Sequence, residues 1–171
     1  LGQTLEGITR PHFFDGVALV VKKLLTITKA DIAVFGEKDY QQLVVIRQLA
    51  QKLNLPTNII GAPIIREQNG LAMSSRNQYL SPEQQSTASK LYHTLCVLAD
   101  NIKNNTPMID AINTSKQTLL DHGFEKVDYI EICDNDTLAP LDQTHNKARI
   151  LGAAYLNGVR LIDNIPLTHP T

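Results

Sequence analysis

The first half of the chain alternates dense apolar segments with short polar breaks. Apolar positions crowd the stretch from Phe14 to Thr28, with lysines among them, which predicts a helix with one well-buried side. The run 31–36 is short, apolar and ends in glycine, and this predicts a fully buried parallel strand. A helix should follow with Asp39 as N-cap and Gln42 completing a capping box, before a second strand at 57–61. The order is that of a βαβ unit.

The second half has a different pattern. Residues 62–80 lose the periodicity and are predicted to form a loop. Ser81-Pro82-Glu83-Gln84 predicts a capped helix start, and that helix should run to about residue 104. A helix over 108–122 should end at Gly123 in a left-handed cap. Three strands are predicted at 127–133, 149–155 and 159–162, the last two joined by an Asn157-Gly158 hairpin turn.

These patterns predict an α/β fold made of two unlike pieces. The piece before residue 80 has parallel βαβ character, and the piece after it combines helices with an antiparallel sheet. We therefore expect two domains, 1–80 and 81–171.

The composition is that of an ordinary globular protein. Hydrophobic residues make up 43% of the 171 positions, charged residues 19%, and the net charge is −1, which argues against a nucleic-acid-binding surface. No apolar run reaches the length of a membrane span, so a cytoplasmic protein is expected. Cys96 and Cys133 lack metal-ligand spacing and are expected to be buried free thiols. The chain begins Leu1-Gly2-Gln3 without an initiator Met, and a fragment or separate domain is therefore expected.

The first polar cluster lies where the first strand should give way to a helix. Gly36, Lys38 and Asp39 fall at the carboxyl end of that strand, the edge where open α/β sheets bind ligands. Free backbone N–H groups, the helix dipole and the Lys38 charge would all favour an anion such as phosphate. The alternative is a structural turn in which Gly36 only relieves strain, Asp39 caps the helix and Lys38 is a solvated surface charge.

The second polar cluster lies in the predicted loop. Ser74 and Ser75 offer short donors, and Arg76 offers a planar charged fork that suits phosphate oxygens. The alternative is a linker whose serines bond to their own backbone and whose arginine pairs with a carboxylate.

A third group contains Arg10 and His12 near the start of the chain. Both could face a ligand, but a histidine beside aromatic residues is more often a packed side chain. No metal site is predicted, because the other histidines have no metal-ligand spacing. They are His93, His122, His145 and His169.

Several segments together resemble the C-terminal two-thirds of the pantothenate synthetase (pantoate–β-alanine ligase) family. They are LEGxxRP, FGEKDYQQL, GLAMSSRNxYL, YIEICDxDTL and RLIDN, in this order along essentially the whole chain. The combination of FGEKDYQQ with MSSRN is highly specific to that family. The resemblance implies the last part of a nucleotidyltransferase-type Rossmann domain over 1–80, a smaller domain over 81–171 that covers the active site, and a homodimer.

The resemblance also implies a two-step reaction with ATP, pantoate and β-alanine as substrates and Mg²⁺ as cofactor. Pantoate would attack ATP to form a pantoyl adenylate and pyrophosphate, and β-alanine would then displace AMP. By similarity, Gly36, Lys38 and Asp39 contact the nucleotide, with Lys38 on the phosphates, and Gln42 binds pantoate.

The loop cluster has its own implied role. Ser74, Ser75 and Arg76 resemble the family's counterpart of the KMSKS loop of class I synthetases and would stabilise the triphosphate. Ile65 and Met73 would lie near the adenine. Lys38, Ser74 and Arg76 are therefore the expected catalytic residues.

Two departures from the family pattern limit what can be transferred. The family's PTMGxLHxGH and FVNPxQF segments, which supply histidines, a pantoate-binding glutamine and metal-side acids, would lie upstream of Leu1. In RPHFFDGV, Phe13 occupies the place of the family's histidine, His12 is displaced by one position, and Asp15 replaces an arginine. The ligand contact of that histidine is therefore not carried over, and residues 1–171 alone are expected to be inactive.

Two other functions remain open on the sequence. One is another adenylate-forming ligase or nucleotidyltransferase on the same fold, because fold alone does not fix the substrate. The other is a non-catalytic domain that forms dimers through its sheet edge.

Overall fold

A computed structural model describes residues 5–9, 12–143 and 147–167 of the chain. Its helices are α1 (Glu6–Thr9), α2 (Phe13–Thr28), α3 (Tyr40–Lys52), α4 (Pro82–Ala88), α5 (Lys90–Lys103) and α6 (Met108–Asp121). Its strands are β1 (Ile32–Gly36), β2 (Asn58–Ala62), β3 (Lys126–Asp134), β4 (Ala148–Leu156) and β5 (Val159–Leu167). Two short 3₁₀ turns, Glu37–Asp39 and Ser75–Tyr79, complete the regular structure. The predicted α/β class is confirmed.

The chain forms two compact units, the first ending at Ile64 and the second beginning at Ile65. The sequence pattern changes later, near residue 80, where the predicted domain boundary lies. The difference has a local cause, because the segment after Ile65 is bonded into the second unit. Arg66 forms an antiparallel bridge with Ala72 and two hydrogen bonds with Asp163 of β5.

The first unit is built on a parallel pair of strands. β1 and β2 run in register from Ile32 opposite Asn58 to Gly36 opposite Ala62, as the predicted βαβ unit requires. Helices α2 and α3 pack against one face of this pair through Val21, Leu25 and Ile46. The predicted helices and the parallel pairing are confirmed.

The full burial predicted for β1 is wrong. Ile32 and Val34 are 55% and 62% exposed, and Ile60 of β2 is 39% exposed. Successive side chains of a strand point to opposite faces, so Ala33 and Phe35 face the two helices while Ile32 and Val34 do not. Within the described residues, α2 and α3 cover only one face of this sheet.

The capping box predicted at the start of α3 is also wrong. Asp39 occupies the N-cap position, but its side chain makes no capping hydrogen bond. The 3₁₀ turn Glu37–Asp39 leads directly into α3, and the Asp39 backbone lies at φ −92°, ψ 61°, outside the extended conformation of most N-caps. The chain therefore enters α3 from a turn rather than from a capped strand.

The second unit packs helices on a three-stranded antiparallel sheet in the order β3-β4-β5. The hairpin between β4 and β5 turns at Asn157 and Gly158, which have φ values of 50° and 73°, as the predicted turn requires. Gly123 ends α6 at φ 91°, in agreement with the predicted left-handed cap. The core contains Leu95, Leu98, Leu119, Ile130 and Ile150.

The long helix predicted over 81–104 is two helices, α4 and α5, that meet at Ser89. The capping box of Ser81 and Gln84 is confirmed, with both reciprocal hydrogen bonds present. The Ser89 hydroxyl donates to the carbonyl oxygen of Ser86 at 2.7 Å, a local bond that competes with continued α-helical pairing. None of the helices in the described ranges is long and apolar enough to cross a membrane.

Candidate functional site

The first polar cluster lies on the 3₁₀ turn that joins β1 to α3. Lys38 is at the centre of this turn and is partly exposed, and Asp39 beside it is exposed. The turn therefore lies at the carboxyl end of a parallel strand and at the amino end of a 13-residue helix, where backbone N–H groups and the helix dipole favour an anion. Because Asp39 does not cap α3, its carboxylate is not used by the helix.

Gly36 ends β1 immediately before this turn. Its backbone is extended, with φ −68° and ψ 136°, so the alternative in which Gly36 relieves strain is wrong. A Cβ atom added at Gly36 would meet nothing within 4 Å. Within the described part of the chain, neither the backbone conformation nor packing requires a glycine here, and the open space would let a ligand approach the backbone.

Gln42, in the first turn of α3, lines a cavity of about 470 Å³. The other lining residues come from α2 and are mostly apolar; they are Phe13, Gly16, Val17, Val20 and Val21. The cavity thus opposes one amide to an aromatic and aliphatic wall. Such a shape suits a small molecule with an apolar branch and a polar group.

The start of α2 carries the residues that depart from the family pattern. Phe13 lines the Gln42 cavity and packs edge-on against Phe14, with ring centroids 5.1 Å apart. His12 lies outside the cavity lining, its side chain is 89% exposed, and its Nδ1 is 3.3 Å from Asp15 Oδ2. Arg10, the other candidate of this group, lies outside the described residues.

The second polar cluster follows a small hairpin in the second unit. The hairpin, residues 65–73, is closed by Met73 N donating to Ile65 O at 2.9 Å and by Glu67 N donating to Leu71 O at 2.8 Å. The side chains of Ile65 and Met73 are exposed. The two residues expected near adenine are therefore hydrogen-bonded partners at the open end of one hairpin.

Ser74, Ser75 and Arg76 come directly after this hairpin, and we call them the phosphate loop because the resemblance implies that they contact the triphosphate. The Ser74 hydroxyl accepts a hydrogen bond from Arg76 N at 3.2 Å and so caps the 3₁₀ turn that follows. Ser75 and Arg76 are exposed, and Arg76 makes no ion pair with any residue in the described ranges. The linker alternative predicts serines bonded to their own backbone and an arginine paired with a carboxylate. Ser74 agrees with it, but Arg76 has no carboxylate partner among the described residues.

Beneath the hairpin lies a polar network that the sequence did not reveal. The Arg66 guanidinium binds Asp163 of β5 through two bonds, Nη1 to Oδ2 at 2.6 Å and Nη2 to Oδ1 at 2.9 Å. It also donates to the Gly70 carbonyl at 3.0 Å and stacks on the Tyr92 ring at 3.8 Å. A hydrogen bond with Cys96 raises the pKa of the Tyr92 hydroxyl. The RLIDN segment contributed to the resemblance, but nothing in it indicated a partner 97 residues away.

Asn77 holds the phosphate loop from its other end. Its side-chain Nδ2 donates to the carbonyl of Ala72 at 3.1 Å, and its own carbonyl accepts from Gln85 of α4 at 3.1 Å. Asn77 belongs to the MSSRN motif, but its role could not be read from the motif alone. The loop is therefore fixed at both ends while Ser75 and Arg76 remain exposed.

The residues that the structure describes do not themselves fit a Mg²⁺ centre. No three His, Cys, Asp or Glu side chains within those ranges converge in a way that could hold a metal ion. By the resemblance, the acids near magnesium belong to other segments of the family than those that this chain matches.

Comparison with known proteins agrees with the resemblance. The sequence model of the Pantoate-beta-alanine ligase family matches residues 1–166. The chain belongs to this family. It is 45% identical over 99% of its length to the pantothenate synthetase of Chelativorans sp., and 47% identical over 94% of its length to a bifunctional pantoate ligase/cytidylate kinase of Trichodesmium erythraeum.

Solved structures of pantothenate synthetases also match. The Thermus thermophilus protein superimposes with a TM-score of 0.91 at 37% identity, covering 97% of this chain and 60% of that one. The Francisella tularensis pantoate-beta-alanine ligase, complexed with beta-gamma ATP and beta-alanine, gives a TM-score of 0.74 at 34% identity and covers 97% of this chain and 55% of that one. The chain spans about 60% of the length of the Chelativorans pantothenate synthetase.

Proposed function

We propose that this chain provides the phosphate-binding and pantoate-binding residues of an ATP-dependent pantoate–β-alanine ligase. The pantoate carboxylate attacks the α-phosphorus of ATP. The bond between the α-phosphorus and the oxygen that bridges it to the β-phosphorus breaks, and pyrophosphate leaves. The β-alanine amine then attacks the acyl carbon of the pantoyl adenylate, AMP leaves, and the amine loses a proton as the amide forms. Membership of the family supports this assignment.

The Gln42 cavity is the observation that carries the proposal. Pantoate has two methyl groups on one carbon, a carboxylate and two hydroxyl groups, and the cavity opposes the Gln42 amide to Val17, Val20 and Val21. The apolar wall would take the methyl groups and the amide would bind an oxygen. Lys38 and Asp39 lie on the turn just before Gln42 in the chain, at the end of the sheet where nucleotides bind.

The leaving pyrophosphate gains negative charge as the adenylate forms. Fixed cations and donors that meet this charge lower the barrier, and no nucleophilic side chain is needed. Lys38, Arg76 and the hydroxyl groups of Ser74 and Ser75 have this chemistry, and Ser75 and Arg76 are exposed to solvent on a loop fixed at both ends. Gly36 leaves open space at the turn that a phosphate could occupy.

A chimera tests the proposal. In it, this chain replaces the matching 60% of the Chelativorans sequence, and the exchange of labelled pyrophosphate into ATP is measured. We expect exchange that depends on pantoate, weak exchange with 2,4-dihydroxybutyrate, which lacks only the two methyl groups, and release of AMP once β-alanine is added. Exchange with equal rates for both acids would make the protein a different adenylate-forming ligase, and no exchange with any acid would contradict the proposal.

Two variants distinguish a specific loss of pantoate binding from general destabilisation of α3. Gln42→Ala should raise the KM for pantoate, whereas Gln48→Ala, which changes an exposed glutamine on the same helix, should leave it unchanged. Equal effects of the two substitutions would remove Gln42 from the substrate site. The use of Mg²⁺, assembly as a homodimer and a cytoplasmic location complete the proposal, and all three rest on the family alone.

A further inference from the structure

We infer that Arg66 and Asp163 are positioning residues for the phosphate loop, and this inference rests on the proposed function. The pair touches neither Ser75 nor Arg76. It holds the hairpin from which these two residues extend, and the reaction depends on where that hairpin places them.

The geometry of the pair is that of a fixed anchor. Both bonds between Arg66 and Asp163 are short and parallel, and the side chains are only 18% and 4% exposed. Asp163 Oδ1 also accepts from the backbone N–H of Asn164 at 2.7 Å, which fixes the carboxylate on β5. Bidentate pairing of this kind constrains orientation as well as distance.

Arg66 then transfers this constraint to the hairpin. Its Nη1 donates to the Gly70 carbonyl, so one guanidinium bonds the sheet and the hairpin tip together. The backbone of Arg66 bridges Ala72, and the next residue, Met73, donates to Ile65 O. Ser74 follows directly, so any shift of the hairpin moves the loop.

Tyr92 of α5 provides the third side of the anchor. Its ring lies 3.8 Å from the guanidinium carbon of Arg66, and the same ring limits the space at Gly70. A Cβ added at Gly70 would lie 2.6 Å from Tyr92 Cδ1. The sheet, α5 and the hairpin therefore all contact Arg66. A lysine could not replace it, because an ammonium group neither forms two parallel bonds with a carboxylate nor stacks flat on a ring.

The consequence for catalysis is specific. Contacts of the phosphate loop should strengthen as charge moves onto the leaving pyrophosphate, so a misplaced loop should lower kcat more than it raises the KM for ATP. A misplacement of about 1 Å can lower a rate by about 100-fold. The KM for pantoate should not change.

Asp128 supplies a matched control. It is 3% exposed in its side chain, and Arg160 of β5 donates to it at 2.7 Å. Arg160 lies three residues before Asp163, about 10 Å along the strand. Asp128→Asn therefore removes a buried ion pair of the same sheet without touching the hairpin.

The experiment combines two measurements on Asp163→Asn, Arg66→Lys and Asp128→Asn. In the chimera, pyrophosphate exchange at saturating pantoate gives kcat and the KM for ATP. In this chain alone, hydrogen exchange of the amides of Met73 and Asn77 reports on the hairpin and loop without requiring any activity. Thermal denaturation establishes that each variant is folded.

We expect Asp163→Asn and Arg66→Lys to lower kcat by about 10- to 100-fold, with the KM for ATP changed by less than about threefold, and to speed exchange of both amides by at least about tenfold. Asp128→Asn lowers overall stability but should leave kcat, the KM for ATP and the exchange of the two amides by local opening unchanged. Normal kcat in the first two variants, or an equal loss in Asp128→Asn, would overturn the inference. If Asp163→Asn does not fold, the kcat and amide exchange of Arg66→Lys alone decide whether the pair positions the loop.

Failure of the proposed function would give a different set of results from failure of the positioning role. The unsubstituted chimera would then show no pantoate-dependent exchange, while the amide measurements on this chain would still decide whether Arg66 and Asp163 fix the loop. Unchanged amide exchange in both variants would reject the positioning role whatever reaction the protein performs.

Discussion

Arg160 donates a hydrogen bond from Nε to Asp128 Oδ2 at 2.7 Å, and Lys126 approaches the other carboxylate oxygen at 2.8 Å. Burial by itself would raise the pKa of Asp128, but the bonds from Lys126 and Arg160 outweigh it and hold that pKa below its ordinary value of 3.8. The folded state therefore favours the carboxylate. This contribution to stability is present above pH 3.8 and is lost as the pH falls through the lower pKa of the folded state.

Asp128→Asn should accordingly reduce the free energy of unfolding at pH 7 by about 2 kcal/mol, the scale of charge-assisted hydrogen bonds. The difference from the unsubstituted chain should shrink as the pH falls below 3.8, where the unfolded carboxyl is protonated. Urea denaturation across this pH range measures it. Asp136→Asn, which removes an exposed pair with Lys147, should cost at most about 1 kcal/mol, and a difference for Asp128→Asn that grows towards low pH would contradict the account.

Gly70→Ala should be more destabilising than Gly123→Ala. Both glycines have φ near +90°, so each alanine has to adopt a left-handed conformation that costs about 1–2 kcal/mol. Only at Gly70 does the new methyl group meet another side chain, the Tyr92 ring, which should add about 2 kcal/mol. Denaturation of the two variants measures the difference, and equal losses would show that the Tyr92 ring moves aside without cost.

The two cysteines should react at very different rates. Burial raises the pKa of the Cys133 thiol from 9.0 to about 12, whereas Cys96 is only half-buried. At pH 8 the thiolate fraction of Cys133 should be about 10⁻⁴, and thiolate is the reactive form. We expect a disulfide reagent to label the native chain in one fast phase that disappears in Cys96→Ser. Rapid labelling of Cys133 in the folded protein would contradict this assignment.

The same shift predicts lower stability at high pH. Because the folded pKa of Cys133 is raised, its neutral thiol contributes fully below pH 9 and the contribution is lost as the pH rises from about 9 to about 12. Cys133→Ala should remove the part of the stability loss at alkaline pH that comes from ionisation of this thiol. Denaturation midpoints at pH 8 and pH 10 provide the comparison, and an unchanged alkaline loss in the variant would exclude Cys133 as its source.

Lys38→Ala should lower pyrophosphate exchange in the chimera by about two orders of magnitude, because the proposed role of Lys38 is to meet the negative charge that develops on the leaving pyrophosphate. Lys52→Ala, at the other end of α3, should leave the rate unchanged. A near-normal rate in Lys38→Ala would remove this residue from the phosphate site.

Local sequence signals predicted much of the fold. The capping box at Ser81, the left-handed end at Gly123 and the Asn157-Gly158 turn all depend on residues close together in the chain, and the structure contains each of them. The burial of β1 could not be predicted in the same way, because it depends on what lies on each face of the sheet. Ile32 and Val34 have the sequence of a core strand but lie on the face that α2 and α3 leave exposed.

In the candidate site, too, residues placed by local sequence signals could be predicted, and residues placed by long-range contacts could not. Lys38 and Gln42 could be located because strand, turn and helix follow one another in the chain. Arg66 and Asp163 could not, since they lie 97 residues apart and their contact depends on how the hairpin packs on β5. An arginine within a predicted loop and an aspartate in a strand have many other uses, and only the three-dimensional structure shows that these two form a pair.

The central proposal is that residues 1–171 carry phosphate- and pantoate-binding residues, and that this span, which matches about 60% of the Chelativorans pantothenate synthetase, does not catalyse the reaction by itself. The most direct measurement is AMP release with ATP, pantoate and β-alanine, for residues 1–171 alone and for the chimera. The account predicts no AMP above background from the chain alone, and AMP equal to the pantothenate formed by the chimera. Turnover by residues 1–171 alone, or a folded chimera that releases no AMP while the full Chelativorans protein does, would contradict it.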